Sequence, residues 1–265
     1  MKNKKLSPLI GLIILLIAFY NLYFANIIKI FSIINPIYAF LYVKFFGVRR
    51  IYDFKIDENT AIRFEKYMKK YPQLYQYLAD IVKKNITDNI KKPVILDLGI
   101  GPGLLSKEIN KVLPEAHIIG VDPSEEMLKL SKKNAYVETK VGSAENIPME
   151  NNSVDVVVCR FNLTYWKDPK KGFFEINRVL RPGGKFVIEA LNKDFSYLKL
   201  FVIRIFMILK GSGFDIARYH FNAYKTAYSI DCVKKLFRDA NFEIVYSEGE
   251  KKDWRYVFVG KKIDT

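Results

Sequence analysis

An aspartate and three glycines at alternate positions carry the first chemical signal in this chain. Asp97 lies in a short apolar run, Val94 to Leu98, and Gly99, Gly101 and Gly103 follow it. Leu104-Leu105-Ser106-Lys107-Glu108-Ile109 then resumes at helical spacing. A short apolar run that stops at glycine reads as a buried parallel strand. Glycine has no side chain, so the backbone can turn sharply there and a ligand can lie against it. The helix that follows presents free N–H groups toward that ligand. Strand, glycine loop and helix together form a nucleotide site, although the same loop is also found as a turn that binds nothing. Two acids favour the site. Asp97 sits at the end of an otherwise apolar strand, where no solvated face is expected. A second apolar run, Ala116 to Val121, ends in Asp122. That is about 20 residues past the loop, where this architecture keeps an acid for ribose hydroxyls. Asp122 has a second reading, as a helix cap before Ser124.

The glycine spacing separates two kinds of nucleotide. A dinucleotide loop reads Gly-x-Gly-x-x-Gly. Counted from Gly99, its third glycine falls on Leu104, whereas here the glycine comes one residue early, at Gly103. Asp-x-Gly-x-Gly-x-Gly resembles motif I of the class I S-adenosylmethionine (SAM) dependent methyltransferases, and the resemblance extends over about residues 51–262. Gly142-Ser143-Ala144-Glu145-Asn146-Ile147-Pro148-Met149 resembles the Gly-Asp-Ala-Glu-x-Leu-Pro-Phe segment of the small-molecule, quinone-biosynthesis type. Ser143 stands where that type has an aspartate, and a hydroxyl accepts a hydrogen bond more weakly than a carboxylate. Glu175 to Gly184 resembles motif III, whose main work is a helix stop and a turn.

The resemblance implies a division of labour. Asp97 and the Gly99, Gly101, Gly103 loop hold the methionine moiety of SAM. Asp122 accepts from the ribose. Pro123 and Met127 flank the adenine, with Ser143, Ala144 and Glu145 at its edge. Phe161 and Asn162, just past a strand, face the methionine and the acceptor. Tyr52-Asp53 stands where similar enzymes have a pair near the cofactor. The family has no universal catalytic residue. Tyr165 and His220 lie in segments that could reach an acceptor and serve as a general base, and each also reads as an ordinary core or surface side chain. His117 opens a strand away from the site. Asn162-Leu163-Thr164-Tyr165 lacks the double proline of the motif used on amino groups of adenine or glutamine, which argues against a nucleic-acid substrate.

The elements that position these residues follow from the same pattern. The expected fold is α/β, a Rossmann-like, mostly parallel seven-stranded sheet with a terminal antiparallel hairpin, preceded by an N-terminal transmembrane helix. Strands are expected at 94–98, 116–121, 135–141, 154–159 and 185–190, and helices at 104–113, from 124, at 169–180 and at 231–240. Phe242 to Ser247 and Trp254 to Val259, joined by a short polar link, predict the hairpin. Residues 57–89 read as one or two amphipathic helices broken at Pro72. Residues 193–230 form the specificity segment. Its apolar stretch, Tyr197 to Leu209, reads as a lid, a helix on a membrane, both, or a core helix.

Half of the 265 residues are apolar, and Lys and Arg outnumber Asp and Glu to a formal charge of +15. Such an excess suits nucleic acid or an anionic membrane surface, and solvated surface lysines account for much of it in either case. The N-terminus favours the membrane. Leu6 to Ile28 runs without a charge after Met1-Lys2-Asn3-Lys4-Lys5; about 20 apolar residues span the hydrocarbon core as a helix. No small-x-small cleavage site follows. Ile30 to Val43 is a shorter apolar run broken at Asn35-Pro36, interfacial or the second arm of a hairpin. The expected domains are therefore an anchor at 1–48, a helical cap at 49–92 and a catalytic domain at 93–265; lysines flank the first run on both sides, and it is the family resemblance, through cytosolic SAM, that implies a catalytic domain facing the cytoplasm. Cys159 and Cys232 stand far apart, and with only His117 and His220 a metal centre is not expected. The acceptor implied is a small, amphiphilic or lipid-like molecule. A nicotinamide oxidoreductase, a non-catalytic SAM-binding membrane protein and an RNA methyltransferase remain alternatives, and the oligomeric state is open.

Overall fold

The computed structural model describes residues 57–86, 90–135, 137–209, 220 and 223–263. Seven strands form one sheet: β1 Val94–Leu98, β2 His117–Asp122, β3 Glu138–Val141, β4 Val154–Arg160, β5 Leu180–Leu191, β6 Phe242–Glu248 and β7 Arg255–Lys262. Their order is β3-β2-β1-β4-β5-β7-β6. β1 to β5 run parallel, and β7 lies antiparallel to both β5 and β6. The chain moves outward from β1 to β3, then returns to lay β4 against the other side of β1. Such a reversal opens a crevice at the carboxyl ends of β1 and β4, where ligands bind in sheets of this kind.

Both faces of the sheet are covered, which is why its central strands are continuous apolar runs. The helices are α1 Glu58–Met68, α2 Pro72–Asn85, α3 Leu104–Val112, α4 Glu125–Ala135, α5 Pro169–Val179, α6 Tyr197–Leu209 and α7 Ile230–Asp239. Leu96, Leu98, Val157, Cys159, Phe186 and Ile188 pack with Phe173 of α5 and Phe237 of α7 on one face. Ile95, Val156, Val158, Val187 and Val257 pack with Leu78 of α2 and Ile109 of α3 on the other. Phe173 stacks edge-on against Phe186 and Phe237, with ring centroids 5.2 and 5.1 Å away. Truncating a ring buried like this costs about 3–5 kcal/mol.

Local signals set the helix starts. Asp57 accepts from the Thr60 amide, Asp168 from Lys171 and Ser229 from Cys232, capping α1, α5 and α7. Pro72 occupies the first turn of α2, so the expected break is a helix start. The terminal hairpin forms as expected. Two strand starts differ from expectation by more than a residue. β3 begins at Glu138, because α4 continues through Ala135. β5 begins at Leu180, not Lys185: Arg181 to Gly184 bulges without leaving the sheet. The β4–β5 register steps there from Val154↔Leu180 to Val156↔Lys185, with Gly183 at φ +71°.

Among the described residues no helix is long and apolar enough to cross a membrane. The expected span at 6–28, the second apolar run at 30–43 and the Tyr52-Asp53 pair lie outside the described residues.

Candidate functional site

The glycine loop joins β1 to α3 through three left-handed residues, Gly99, Gly101 and Gly103, at φ +72°, +53° and +78°. Side chains rarely adopt such angles. At Gly103 an added Cβ would stand 2.9 Å from the Ser131 backbone, so this glycine lets α4 approach. At Gly101 nothing lies within 4 Å of that position, so the loop turns a bare, open backbone outward. Gly103 also begins α3 without a side-chain cap. The first amides of α3 are therefore left for a ligand or solvent.

Two buried carboxylates lie below the loop. Asp122 is 8% exposed and accepts from the Gly101 amide and the Ser124 amide, both at 2.9 Å. It ties the loop to the start of α4, where Ser124 Oγ in turn accepts from the Met127 amide. Asp122 thus orders the turn before α4, and each of its oxygens keeps a second lone pair. Burial raises its pKa, against the pull of the two amides. Asp97 is 2% exposed and accepts from Ser106 Oγ at 2.6 Å. Burial pushes its carboxyl up to about 7, and the Asp122 charge adds to the rise.

The remaining expected residues surround this pair unevenly. The 142–145 loop joins β2, with the Gly142 amide donating to the Asp122 carbonyl. Pro123 is exposed at the rim, Met127 is 4% exposed, Ser143 is half-buried and Ala144 is buried. Glu145 points elsewhere, and its carboxylate accepts from the Lys167 and Asp168 amides ahead of α5. Asn162 is held across the end of β1. Its amide donates to the Leu98 carbonyl and its oxygen accepts from the Cys159 thiol. Phe161 carries φ +54°, a strained angle for an aromatic residue, and its amide donates to the Glu189 carbonyl at 2.8 Å.

Tyr165, like Phe161, Tyr224 and Trp254, packs against a small core of Leu191, at the end of β5, Ala223 and Ala227. Burial and the charge of Arg160 hold the His220 imidazole down at about 4, so it is neutral at pH 7 and a weak base. His117 is at the far end of β2, 3.4 Å from Glu138 and largely exposed. Asp155 accepts from the Val94 amide and Arg181, a structural role at the amino end of the sheet. Among the described residues no three His, Cys, Asp or Glu side chains cluster as metal ligands.

Sequence reasoning missed a charged group beside the site. Arg160, the last residue of β4, pairs with Glu189 of β5 at 2.7 Å, and Arg255 of β7 reaches the same carboxylate at 3.1 Å. The signal was present: a glutamate inside Val187-Ile188-Glu189-Ala190-Leu191 and an arginine ending a run of valines. Ser106 was also missed, since a serine in a first helical turn reads only as a capping residue.

A methyltransferase-domain model matches residues 96–188, from β1 to β5. YdaC of Bacillus subtilis, named an uncharacterized methyltransferase, is 31% identical over 148 residues, 53% of this chain and 82% of that protein. The chain belongs to the class I SAM-dependent methyltransferases. A demethylmenaquinone methyltransferase of Chlorobaculum tepidum is 37% identical over 103 residues, 38% of this methyltransferase and 42% of that one. Beyond YdaC the shared lengths shorten, to 47% of an uncharacterized Schizosaccharomyces pombe methyltransferase. The crystal structure of a SAM-dependent methyltransferase from Aquifex aeolicus superposes with a TM-score of 0.55 at 18% identity, covering 79% of this chain and all of that one, and so shares its fold.

The site fits the family's cofactor. The open backbone at Gly101, the uncapped start of α3 and two buried carboxylates together suit a nucleoside that carries positive charge and ribose hydroxyls.

Proposed function

We propose that this methyltransferase is membrane-anchored, faces the cytoplasm and methylates a small amphiphilic acceptor. The catalytic class rests on the family; the proposal concerns the acceptor, the anchor and the residue roles. The observation that carries it is α6, whose outer face is apolar and exposed at Leu198, Val202 and Phe206 while Leu200 and Arg204 point inward. A helix that buries Arg204 and turns a row of apolar residues outward, with Lys199 the exposed charge among its described residues, faces something other than water. The uncharged run Leu6 to Ile28 supplies the membrane. The demethylmenaquinone methyltransferase among its relatives supports an acceptor of the quinone-like, amphiphilic class.

SAM, when bound, supplies a methyl group already activated by its sulfonium. The protein's part is then positioning and water exclusion. Asp122 would hold the ribose while keeping the loop in register through Gly101. Asp97, braced by Ser106, would sit under the methionine end. Pro123, Met127, Ser143 and Ala144 would line the adenine. Glu145, committed to the 167–168 backbone, would shape that edge from behind. Phe161 and Asn162 would stand between cofactor and acceptor, Asn162 fixed by Leu98 and Cys159. His220 or Tyr165 would stand on the acceptor side and serve as the general base.

The first test is calorimetric titration of SAM into the full chain in micelles, wild type beside Asp122→Ala. Saturable binding in the wild type, weakened at least about tenfold in the variant, is expected. Unchanged affinity in a folded variant would remove Asp122 from the cofactor site.

A further inference from the structure

The loop after β3 is fastened to α5 along most of that helix. Glu145 accepts from the Lys167 and Asp168 amides just ahead of α5. Glu175, midway along it, accepts from the Ile147 amide at 3.0 Å. At its end the Arg178 and Val179 carbonyls accept from the Asn152 and Ser153 amides, at 3.0 and 2.8 Å. Gly172 lets the two approach: a Cβ there would stand 2.7 Å from the Trp166 ring and 3.3 Å from the Ala144 side chain. Ala144 and Ile147 are buried in the same core as Trp166, Phe173 and Ile176.

Arg178 makes the most of these attachments. Its Nη2 donates to the Ile147 carbonyl at 2.9 Å, and its Nη1 to the Met149 carbonyl and Asn151 Oδ1 at 2.8 and 2.9 Å. Nε and Nη2 also meet the two Glu175 oxygens, each at 2.8 Å. That is the two-point pairing of guanidinium with carboxylate. One planar fork therefore fixes three points of a loop that has no helix or strand of its own, and Glu175 adds a fourth through the Ile147 amide. Lysine carries its charge at a single point on a flexible stem and cannot reproduce the fork.

The fastened loop holds a bare donor. Ser143 and Asn146 exchange amide–carbonyl hydrogen bonds at 3.4 and 3.2 Å, but the Ala144 amide between them donates to no carbonyl among the described residues. The Ser143 hydroxyl in the same turn can donate or accept, so it discriminates poorly between bases. A backbone N–H only donates. Adenine offers it an unprotonated ring nitrogen, whereas hypoxanthine carries N–H at the same place. Two donors set face to face leave both unpaired, which is how a rigid donor rejects the wrong base.

We propose, on the reading that places residues 143–145 at the adenine edge, that Arg178 and Glu175 are positioning residues for base recognition. They fix the turn so that the Ala144 amide selects a purine with a ring-nitrogen acceptor.

The test is calorimetric titration of S-adenosylhomocysteine and of its inosine counterpart, which differ only in the base, into the full chain in micelles. The wild type should bind the adenine compound about tenfold or more tighter. Arg178→Lys should cut that preference about fivefold or more. Glu175→Gln keeps an acceptor for the Ile147 amide and should cut it less. Both side chains are partly exposed, at 32% and 19%, so both variants should fold. Val187→Ala, which weakens the core on the other face of the sheet, should keep the preference whole. Equal binding of the two compounds by the wild type overturns the base selection and leaves the cofactor site standing. Binding of neither overturns the adenine reading as well. Arg178 and Glu175 variants that keep the preference overturn their positioning role. Loss of the preference in Val187→Ala does so too, by tying it to stability alone.

Discussion

Asp97 shows how a single side chain can make this enzyme sensitive to pH. Its folded-state pKa, about 7, lies well above the ordinary 3.8 because it is buried, with Ser106 as its hydrogen-bond donor. Between those two values the folded chain keeps a proton that the unfolded chain has released. Stability therefore falls as pH rises from about 4 to about 7 and levels off above. Asp122, raised by burial as well, acts in the same direction. Asp97→Asn preserves an acceptor for Ser106 and removes the charge. By denaturant titration the variant should match the wild type near pH 5 and exceed it near pH 8, while binding cationic SAM more weakly. A gap of equal size at both pH values would mean that Asp97 carries no buried charge. This residue was legible in the sequence as an acid out of place in an apolar strand. Arg160 and Glu189 were as much out of place, but their pairing depends on the β4–β5 register, and nothing local to either residue shows that. The left-handed angle at Phe161 has no local sequence signal; its amide donates to the Glu189 carbonyl, on a strand far along the chain.

Among the elements, α6 has the plainest mismatch between composition and placement. Leu200 and Arg204 are 4% and 3% exposed, whereas Leu198, Val202 and Phe206 are 71%, 58% and 61% exposed. Its sequence was equally compatible with a core helix, since an almost wholly apolar helix has no polar side to mark its orientation. Exposure removes the core reading, and the bilayer is the proposed neighbour of the outer face. An environment-sensitive fluorophore at position 206, introduced as Phe206→Cys with Cys232→Ser in the full chain, tests this in anionic vesicles. Emission should shift to the blue and be quenched by brominated lipid; water-like emission that ignores the quencher would refute the contact. Elements bounded by caps and glycines were read to within a residue or two. The start of β5 was not, because Arg-Pro-Gly-Gly looks like a turn whether or not its flanks stay hydrogen-bonded to β4. The order of β6 and β7 was readable as a hairpin, though not the insertion of β7 against β5.

For the whole molecule, the proposal makes residues 1–48 a delivery device and the rest a self-contained catalyst. Removing them should leave SAM affinity within about twofold. Turnover on an acceptor embedded in a bilayer should fall by an order of magnitude or more, since tethering acts through effective concentration. Turnover on the same acceptor in micelles should suffer less. Equal losses of cofactor binding and turnover would show that the segment is part of the fold.

Sheet order carries one more consequence, for the way the protein is made. β7 lies between β5 and β6, so the two strands that precede it in the chain have no shared edge until it arrives. Lys262 completes the closure by donating to the Leu180 and Asn177 carbonyls, at the start of β5 and in α5. On the ribosome, then, the sheet stays open until synthesis has passed Lys262. By that time the apolar N-terminal segments have long since left the exit tunnel. If the proposed anchor holds, the chain can meet a membrane while its catalytic half is still unfinished, with the bare edge of β5 waiting for a strand not yet translated.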